Sequence, residues 1–342
     1  MRASSSGENF HVDADDNQAM STPLPSSTSV ADGAVRLLHS GVIRAAGADA
    51  ASFLHGQLTN DMTGLGLGEA RLAAYCSPKG RMLASFVAFK RSHDEIWLAC
   101  RSDVLPATLK RLRMFVLRAK AQLSEGGDDA VLVGLAGRSA AAWLAQVLPA
   151  AVNGAVWSRH ALDDALLVRL PDGAGQARWL WAGPAAQTDA MLNALPALAL
   201  ERWDWLEVHS GVAPIVANTV EAFVPQMLNY ELVGGVNFQK GCYPGQEIVA
   251  RSQYRGTIKR RAALVHGDAA ALPGQEVFWS GDDAQPSGLI ALAAPAPGGG
   301  WDALVELKLS ALDDGSLHLG SSGGARLQPL ALPYAVPREN AA

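Results

Sequence analysis

Short apolar runs alternate with glycine-ended turns along this chain, and one such pattern occurs twice. Val42-Ile43-Arg44-Ala45-Ala46-Gly47 leads into Ala48-Asp49-Ala50-Ala51-Ser52-Phe53-Leu54, and Leu132-Val133-Gly134-Leu135-Ala136-Gly137 leads into Arg138-Ser139-Ala140-Ala141-Ala142-Trp143-Leu144. Each reads as a strand ending in glycine, then a helix capped by Asp49 in the first copy and by Ser139 in the second. Apolar runs at 70–77, 81–90 and 95–100 predict three strands after the first helix, and an amphipathic stretch near 103–118 predicts another helix. Runs near 155–158, 165–170 and 177–182, then a helix near 185–195, repeat that order after the second. The pattern is two β-α-β-β-β-α units, each needing a partner to cover its sheet.

Residues 200–212 read as a further helix with Trp203, Leu206 and Val212 able to share one side. From Ala262 onward the texture changes to short runs at 263–265, 276–279, 289–293, 303–309 and 317–319, separated by Gly, Pro and Asp turns. That spacing predicts a small antiparallel barrel. The expected organisation is α+β: a disordered leader over 1–33, a first α/β unit over 34–118, and a second over 119–261. A C-terminal β-barrel over 262–336 and a tail over 337–342 complete it. The two α/β units are free to exchange segments.

Composition narrows the function classes. Hydrophobic residues at 49% and charged residues at 18% fit a globular protein, and a net charge of −5 argues against direct DNA binding. The basic helix edge at Lys110-Arg111-Leu112-Arg113 reads as a solvated face, since base-stacking aromatics do not interleave with it. The leader carries no apolar core of a secretion signal, and no run reaches the ~20 apolar residues of a membrane span. Three cysteines, Cys76, Cys100 and Cys242, form neither a CxxC nor an even set, so a disulfide framework is not expected. A cytoplasmic protein is the expectation.

The chemistry concentrates at Lys240-Gly241-Cys242-Tyr243-Pro244-Gly245-Gln246-Glu247, followed by Ile248-Val249-Ala250-Arg251. Pro244 suits the first turn of a helix, Glu247 in that turn would face the positive end of its dipole, and Arg251 follows one turn later. A thiol at Cys242 would be drawn toward its thiolate by that dipole and by Lys240. Gly241 and Gly245 allow tight turning or close approach. Read locally, the pattern also fits a glycine-flanked turn around a small buried thiol.

This motif resembles the signature of the folate-binding YgfZ family, relatives of the glycine-cleavage aminomethyltransferase (T-protein) that support maturation of iron–sulfur enzymes. Phe223-Val224-Pro225-Gln226 upstream and Arg255-Gly256-Thr257-Ile258-Lys259-Arg260 downstream fit the same signature, and the similarity runs from Gly41 to Leu332-Pro333-Tyr334. The resemblance implies a T-protein-like ring of two α/β units and a barrel around a central folate channel. It also implies tetrahydrofolate or a derivative as ligand, bound by Trp203, His209 and Tyr243. Cys242 would be the functional thiol within the motif Lys240, Gly241, Tyr243, Gly245, Gln246, Glu247 and Arg251. Its expected partners are folate and iron–sulfur client and assembly proteins, radical-SAM tRNA-modifying enzymes among the clients.

Two departures from the T-protein pattern bear on the activity. Gly80-Arg81-Met82-Leu83-Ala84-Ser85 stands where the transferase carries a carboxylate, and it contains no acid for one-carbon chemistry. His209-Ser210-Gly211 stands where the transferase has Glu-Ala-Gly, whose carboxylate holds the pterin edge; an imidazole can accept one hydrogen bond, not a pair. A folate-dependent accessory factor is therefore favoured over its alternative, an aminomethyltransferase. Three scattered cysteines do not supply the ~four ligands of a stable cluster, whereas a transient one shared between Cys242 and a partner is compatible with the count.

Overall fold

The computed structural model describes residues 31–254, 258–313 and 315–337. Most of the expected leader, Arg255-Gly256-Thr257 of the downstream motif, and residues 338–342 of the tail lie outside the described residues.

Strand β1 (Gly33–Arg36) precedes the first repeat, which runs β2 (Ser40–Ala46), α1 (Ala50–His55), β3 (Ala70–Cys76), β4 (Met82–Ser92), β5 (Glu95–Arg101) and α2 (Leu105–Phe115). Strand β6 (Gln122–Glu125) leads to the second, with β7 (Val131–Ala136), α3 (Gly137–Val147), a short α4 (Pro149–Val152), β8 (Arg159–Leu162), β9 (Ala165–Gly173), β10 (Gln176–Gly183) and α5 (Ala185–Ala194). Helices α6 (Leu200–His209) and α7 (Gln246–Tyr254) follow. The barrel is β11 (Arg260–Gly267), β12 (Glu276–Trp279), β13 (Gly288–Pro295), β14 (Trp301–Lys308), α8 (Ser310–Asp313), β15 (Leu317–Leu319) and β16 (Arg326–Leu330).

The repeat is real in space. One sheet has the order β3-β4-β5-β2-β6 and the other β8-β9-β10-β7-β1, so equivalent strands hold equivalent places. The last strand of each sheet comes from the other side of the 118/119 boundary: Gly33–Arg36 pairs with β7, while Gln122–Glu125 pairs with β2. This exchange corrects the expected helix caps. Asp49 stands at the N-cap of α1 as expected, but turns its carboxylate to the Lys120 N–H, at 2.7 Å, and makes no side-chain hydrogen bond to the helix. Ser139 lies inside the first turn of α3, where Asp32, just ahead of β1, accepts from both its N–H and its hydroxyl, at 2.7 and 2.6 Å. The capping oxygen comes from the incoming edge strand, so local sequence does not reveal it.

Both sheets are covered on both faces, which explains why the strands read as nearly continuous apolar runs. In β7, Val133 and Leu135 pack under α3 and α5 with Trp179 and Trp181, while Leu132 faces a central core. In the first sheet Ile43, Tyr75 and Phe86 pack with Phe53, Leu54 and Leu109, while Leu72 and Trp97 face that same core. Helix α6 enters it with Trp203 and Leu206, and Leu264, Leu292 and Leu304 of the barrel complete it.

The barrel closes in the order β11-β14-β13-β12-β15-β16. Its last strand was not foreseen because Leu327 is its one buried side chain. The strand expected at 155–158 forms instead at Arg159–Leu162, since Trp157 takes a left-handed turn at φ 71°. Among the described residues no helix is long and apolar enough to cross a membrane.

Candidate functional site

The motif segment docks on the β3–β4 hairpin. Gly245 has φ 80°, and a Cβ there would stand 2.4 Å from the Ser77 carbonyl oxygen and 2.7 Å from Gly80 Cα, so only glycine fits. Its carbonyl accepts the Ile248 and Val249 N–H groups and so opens α7. The helix expected to open at Pro244 is corrected to Gln246–Tyr254, which leaves Pro244 outside its first turn and Cys242 four residues ahead of its start. Helix dipole effects fall off within about one turn, so the dipole is not what acts on this thiol. Gln226 reaches α7 from the upstream motif, donating to the Val249 carbonyl at 2.7 Å. Glu247 and Arg251 form an exposed pair at 3.3 Å on the outer face of the helix.

Cys242 is exposed, whereas Cys76 and Cys100 are buried and their thiols pushed up to about 12 by burial. The stretch ahead of it is fastened to the end of α1. Lys240 Nζ donates to the His55 carbonyl and, at 2.8 Å, to the Leu58 carbonyl, and stands 4.8 Å from the Tyr243 ring centroid. Burial brings Lys240 down to about 8, against the opposing charges of Asp61 and a Cys242 thiolate. His55 Nδ1 lies 2.8 Å from Asp61 Oδ1. Burial alone would raise Asp61, but hydrogen bonds from the Gly64 N–H, Thr63, His55 and Arg71 outweigh it and hold the carboxyl well below its usual range. Next to Asp61, Thr59 and Asn60 tie the 234–237 loop to β3: Thr59 donates to the Gly235 carbonyl, Asn60 to those of Leu72 and Gly234.

A second feature lies between the two sheets, a narrow cavity of about 90 Å³ that opens to the surface. Leu72, Val87 and Arg101 line it from the first sheet, Leu132 and Arg178 from the second, and Trp203, Glu207 and Ser210 from α6. Trp203 is buried against Gly134, where a Cβ would come within 2.4 Å of its ring, and the Arg178 guanidinium lies 5.0 Å from the ring centroid. Arg178 is 2% exposed, its Nε donates to the Pro171 carbonyl at 3.1 Å, and its Nη1 has no hydrogen-bond partner among the described residues. Burial lowers Arg178 to about 10. Glu207 is the one acid among the lining residues, and it is ion-paired with Arg101.

Of the three residues expected at a folate, Trp203 lines this cavity, whereas His209 and Tyr243 do not. His209 faces the barrel, its Nε2 2.7 Å from Asp302 Oδ2, on a carboxylate shared with Trp205 Nε1 and His266 Nδ1. Tyr243 is buried under Lys240 and beside Cys76, with its hydroxyl unpartnered among the described residues. Sequence reasoning missed Arg178 and Arg101, which sit in apolar strands, and His55 at the end of α1. A charged residue inside an otherwise apolar strand was the available signal for the arginines. Chemically, the cavity offers an apolar slot with a buried donor and a neutralised acid, and the motif offers an exposed thiol. Among the described residues no group of three or more His, Cys, Asp or Glu is placed to hold a metal ion.

Comparison with known proteins agrees on the kind of molecule this is. The chain is 32% identical over 330 residues to the tRNA-modifying protein YgfZ of Sodalis glossinidius (strain morsitans), covering 92% of this chain and 96% of that one. It is 30% identical over 307 residues to the tRNA-modifying protein YgfZ of Klebsiella pneumoniae (strain 342), covering 85% and 89%. The fold matches the crystal structure of glycine cleavage system aminomethyltransferase T from Bartonella henselae with TM-score 0.68, over 89% of this chain and 86% of that one, at 16% identity. No protein-family model matches.

Proposed function

The chain belongs to the YgfZ family, and from that premise we propose that it serves tRNA modification as a folate-dependent accessory factor. It assembles or repairs iron–sulfur clusters in cytoplasmic client enzymes, radical-SAM tRNA-modifying enzymes among them, and acts through Cys242. The cluster is cargo, held transiently between Cys242 and a partner protein.

The observation that carries this reading is the division of the molecule into an inter-sheet cavity and an exposed thiol outside its lining. The cavity residues fit tetrahydrofolate: an unpartnered, fully buried Arg178 nitrogen suits a pterin carbonyl, and apolar walls beside Trp203 suit a flat ring. Folate would bring one-carbon carrying capacity, while Arg178, Glu207 and the sheet walls bind, orient and exclude water. The alternative, aminomethyl transfer, needs a free acid or base at the reacting carbon. Glu207, the cavity's one acid, is neutralised by Arg101, and residues 81–85 supply none.

The test is complementation of a strain lacking its own family member, with wild type and Cys242→Ala, read as the activity of an iron–sulfur tRNA-modifying enzyme. Wild type should restore that activity and the variant should not. Equal restoration would remove Cys242 from the mechanism.

A further inference from the structure

Helix α2 buries one apolar face and leaves a second apolar surface uncovered. Leu105, Leu109 and Leu112 pack into the core of the first unit. Met114, Phe115 and Leu117, at the end of the helix and just beyond it, are 58%, 45% and 87% exposed. Leu117 holds a left-handed backbone at φ 41°, uncommon for a leucine. Met114 lines a groove of about 550 Å³ that opens to the surface, together with Leu83, Val104 and Val220, and the buried Tyr75 lies among its walls. Single exposed apolar side chains are ordinary, but three within four residues beside an apolar groove make an interaction surface.

The same edge is strongly positive. Residues 110–120 carry Lys110, Arg111, Arg113, Arg118 and Lys120 with no acid among them, in a chain whose net charge is −5. Arg111 lines the groove with its guanidinium 6.0 Å from the Phe115 ring centroid, and its Nε is buried without a hydrogen-bond partner among the described residues. Asp103, the one acid in the lining, accepts from the Ala217 N–H at 2.9 Å and so fastens the 217–220 turn beside the start of α2. The basic edge expected to be a solvated face therefore frames an apolar slot.

We propose that this groove docks an amphipathic, acidic helix of a partner protein. Its apolar side would lie on Met114, Leu83 and Val220, and its carboxylates would face Lys110 and Arg111. A carboxylate reaching Arg111 would satisfy the buried Nε–H. A protein helix suits the groove better than RNA does. The walls are largely aliphatic, the Phe115 ring is already met by Arg111, and the Asp103 carboxylate would repel a phosphate. Tyr75 and Leu83 belong to the β3–β4 hairpin, and the segment carrying Cys242 docks at the turn of that hairpin, where Gly245 meets Ser77 and Gly80. A partner seated in the groove thus rests on the element that also supports the motif. The docking assignment does not depend on what Cys242 does.

The test is photo-crosslinking of the full-length protein in cells that carry it natively. p-Benzoylphenylalanine replaces Met114, Leu117 or, as a control, Val147, which is exposed at the end of α3. Crosslinked peptides are sequenced by mass spectrometry. Positions 114 and 117, and not 147, should capture a partner peptide with apolar residues three and four apart and Asp or Glu between them. With the photo-reactive group at 114, Leu117→Asp and Lys110→Glu should each cut that product about tenfold at an unchanged melting temperature. If Leu117→Asp melts early, Lys110→Glu decides.

Crosslinking at 114 and 117 no stronger than at 147 overturns the proposal. So does capture of RNA, of a second copy of this chain, of residues 1–30 of the same chain, or of a partner peptide without the acidic amphipathic pattern. An undiminished product in Lys110→Glu overturns it equally.

Discussion

Glu207 and His209 stand two residues apart on α6 yet face opposite ways. Glu207 meets Arg101 at the wall of the inter-sheet cavity, while His209 lies 2.7 Å from Asp302 of the barrel strand β14. Two residues turn a helix by more than half a revolution, so one of this pair faces the ligand space and the other an interdomain hydrogen-bond centre. Trp203, Glu207 and Ser210 share the cavity side, whereas Trp205 and His209 share the barrel side.

His209→Glu is therefore expected to destabilise the protein, not to improve ligand binding. It would set a second carboxylate against buried Asp302 and remove one of that residue's three donors. The cost should be about 1–3 kcal/mol, on the order of 5 °C in melting temperature. Tighter tetrahydrofolate binding by this variant would show that the helix face is assigned wrongly.

Arg178→Met should weaken tetrahydrofolate binding about tenfold, read as saturable quenching of tryptophan fluorescence. It should leave the fold intact, because it removes a buried charge at the loss of one neutral-acceptor hydrogen bond, from Nε to the Pro171 carbonyl, while the Met side chain keeps contact with Trp203. Trp203→Ala is a poorer probe: it would empty a fully buried site and cost about 3–5 kcal/mol by itself. Unchanged affinity in Arg178→Met would rule this cavity out as the folate site.

Limiting iodoacetamide at near-neutral pH should label Cys242 alone. Cys76 and Cys100 are buried, with thiols pushed up to about 12, and should react only when the protein unfolds. Early labelling of either, seen by mass mapping, would contradict that burial.

Cys242→Ala should melt within about 1 °C of wild type, since an exposed side chain contributes little to stability. Loss of client-enzyme activity with unchanged melting would assign the residue to chemistry. A large melting shift would assign it to structure.

Lys240 gives a pH signature. Burial lowers it from 10.5 to about 8, so between those values the unfolded chain binds more protons than the folded one. Stability relative to Lys240→Met should consequently rise with pH through that window and be flat below it. Denaturant titrations at several pH values measure this, and a difference that falls with rising pH would refute it.

Periodicity alone was enough to find the repeat, because strands buried on both faces and helices apolar on one face leave marks within a few residues of themselves. The barrel was legible for the same reason until β16, whose polar outer face hides its single inward leucine. The motif was legible as a thiol between glycines, and Gly245 is glycine because the hairpin backbone at Ser77 and Gly80 occupies the place of a side chain. What the sequence could not tell is what meets across long separations. Asp32 caps a helix 107 positions away, Lys240 fastens to a carbonyl 185 positions away, and His209 is claimed by an aspartate 93 positions away. Each pairing depends on how two sheets exchange edges and how a barrel seats against one helix. Those distances are set by packing of the whole core, and no local pattern of residue types encodes them.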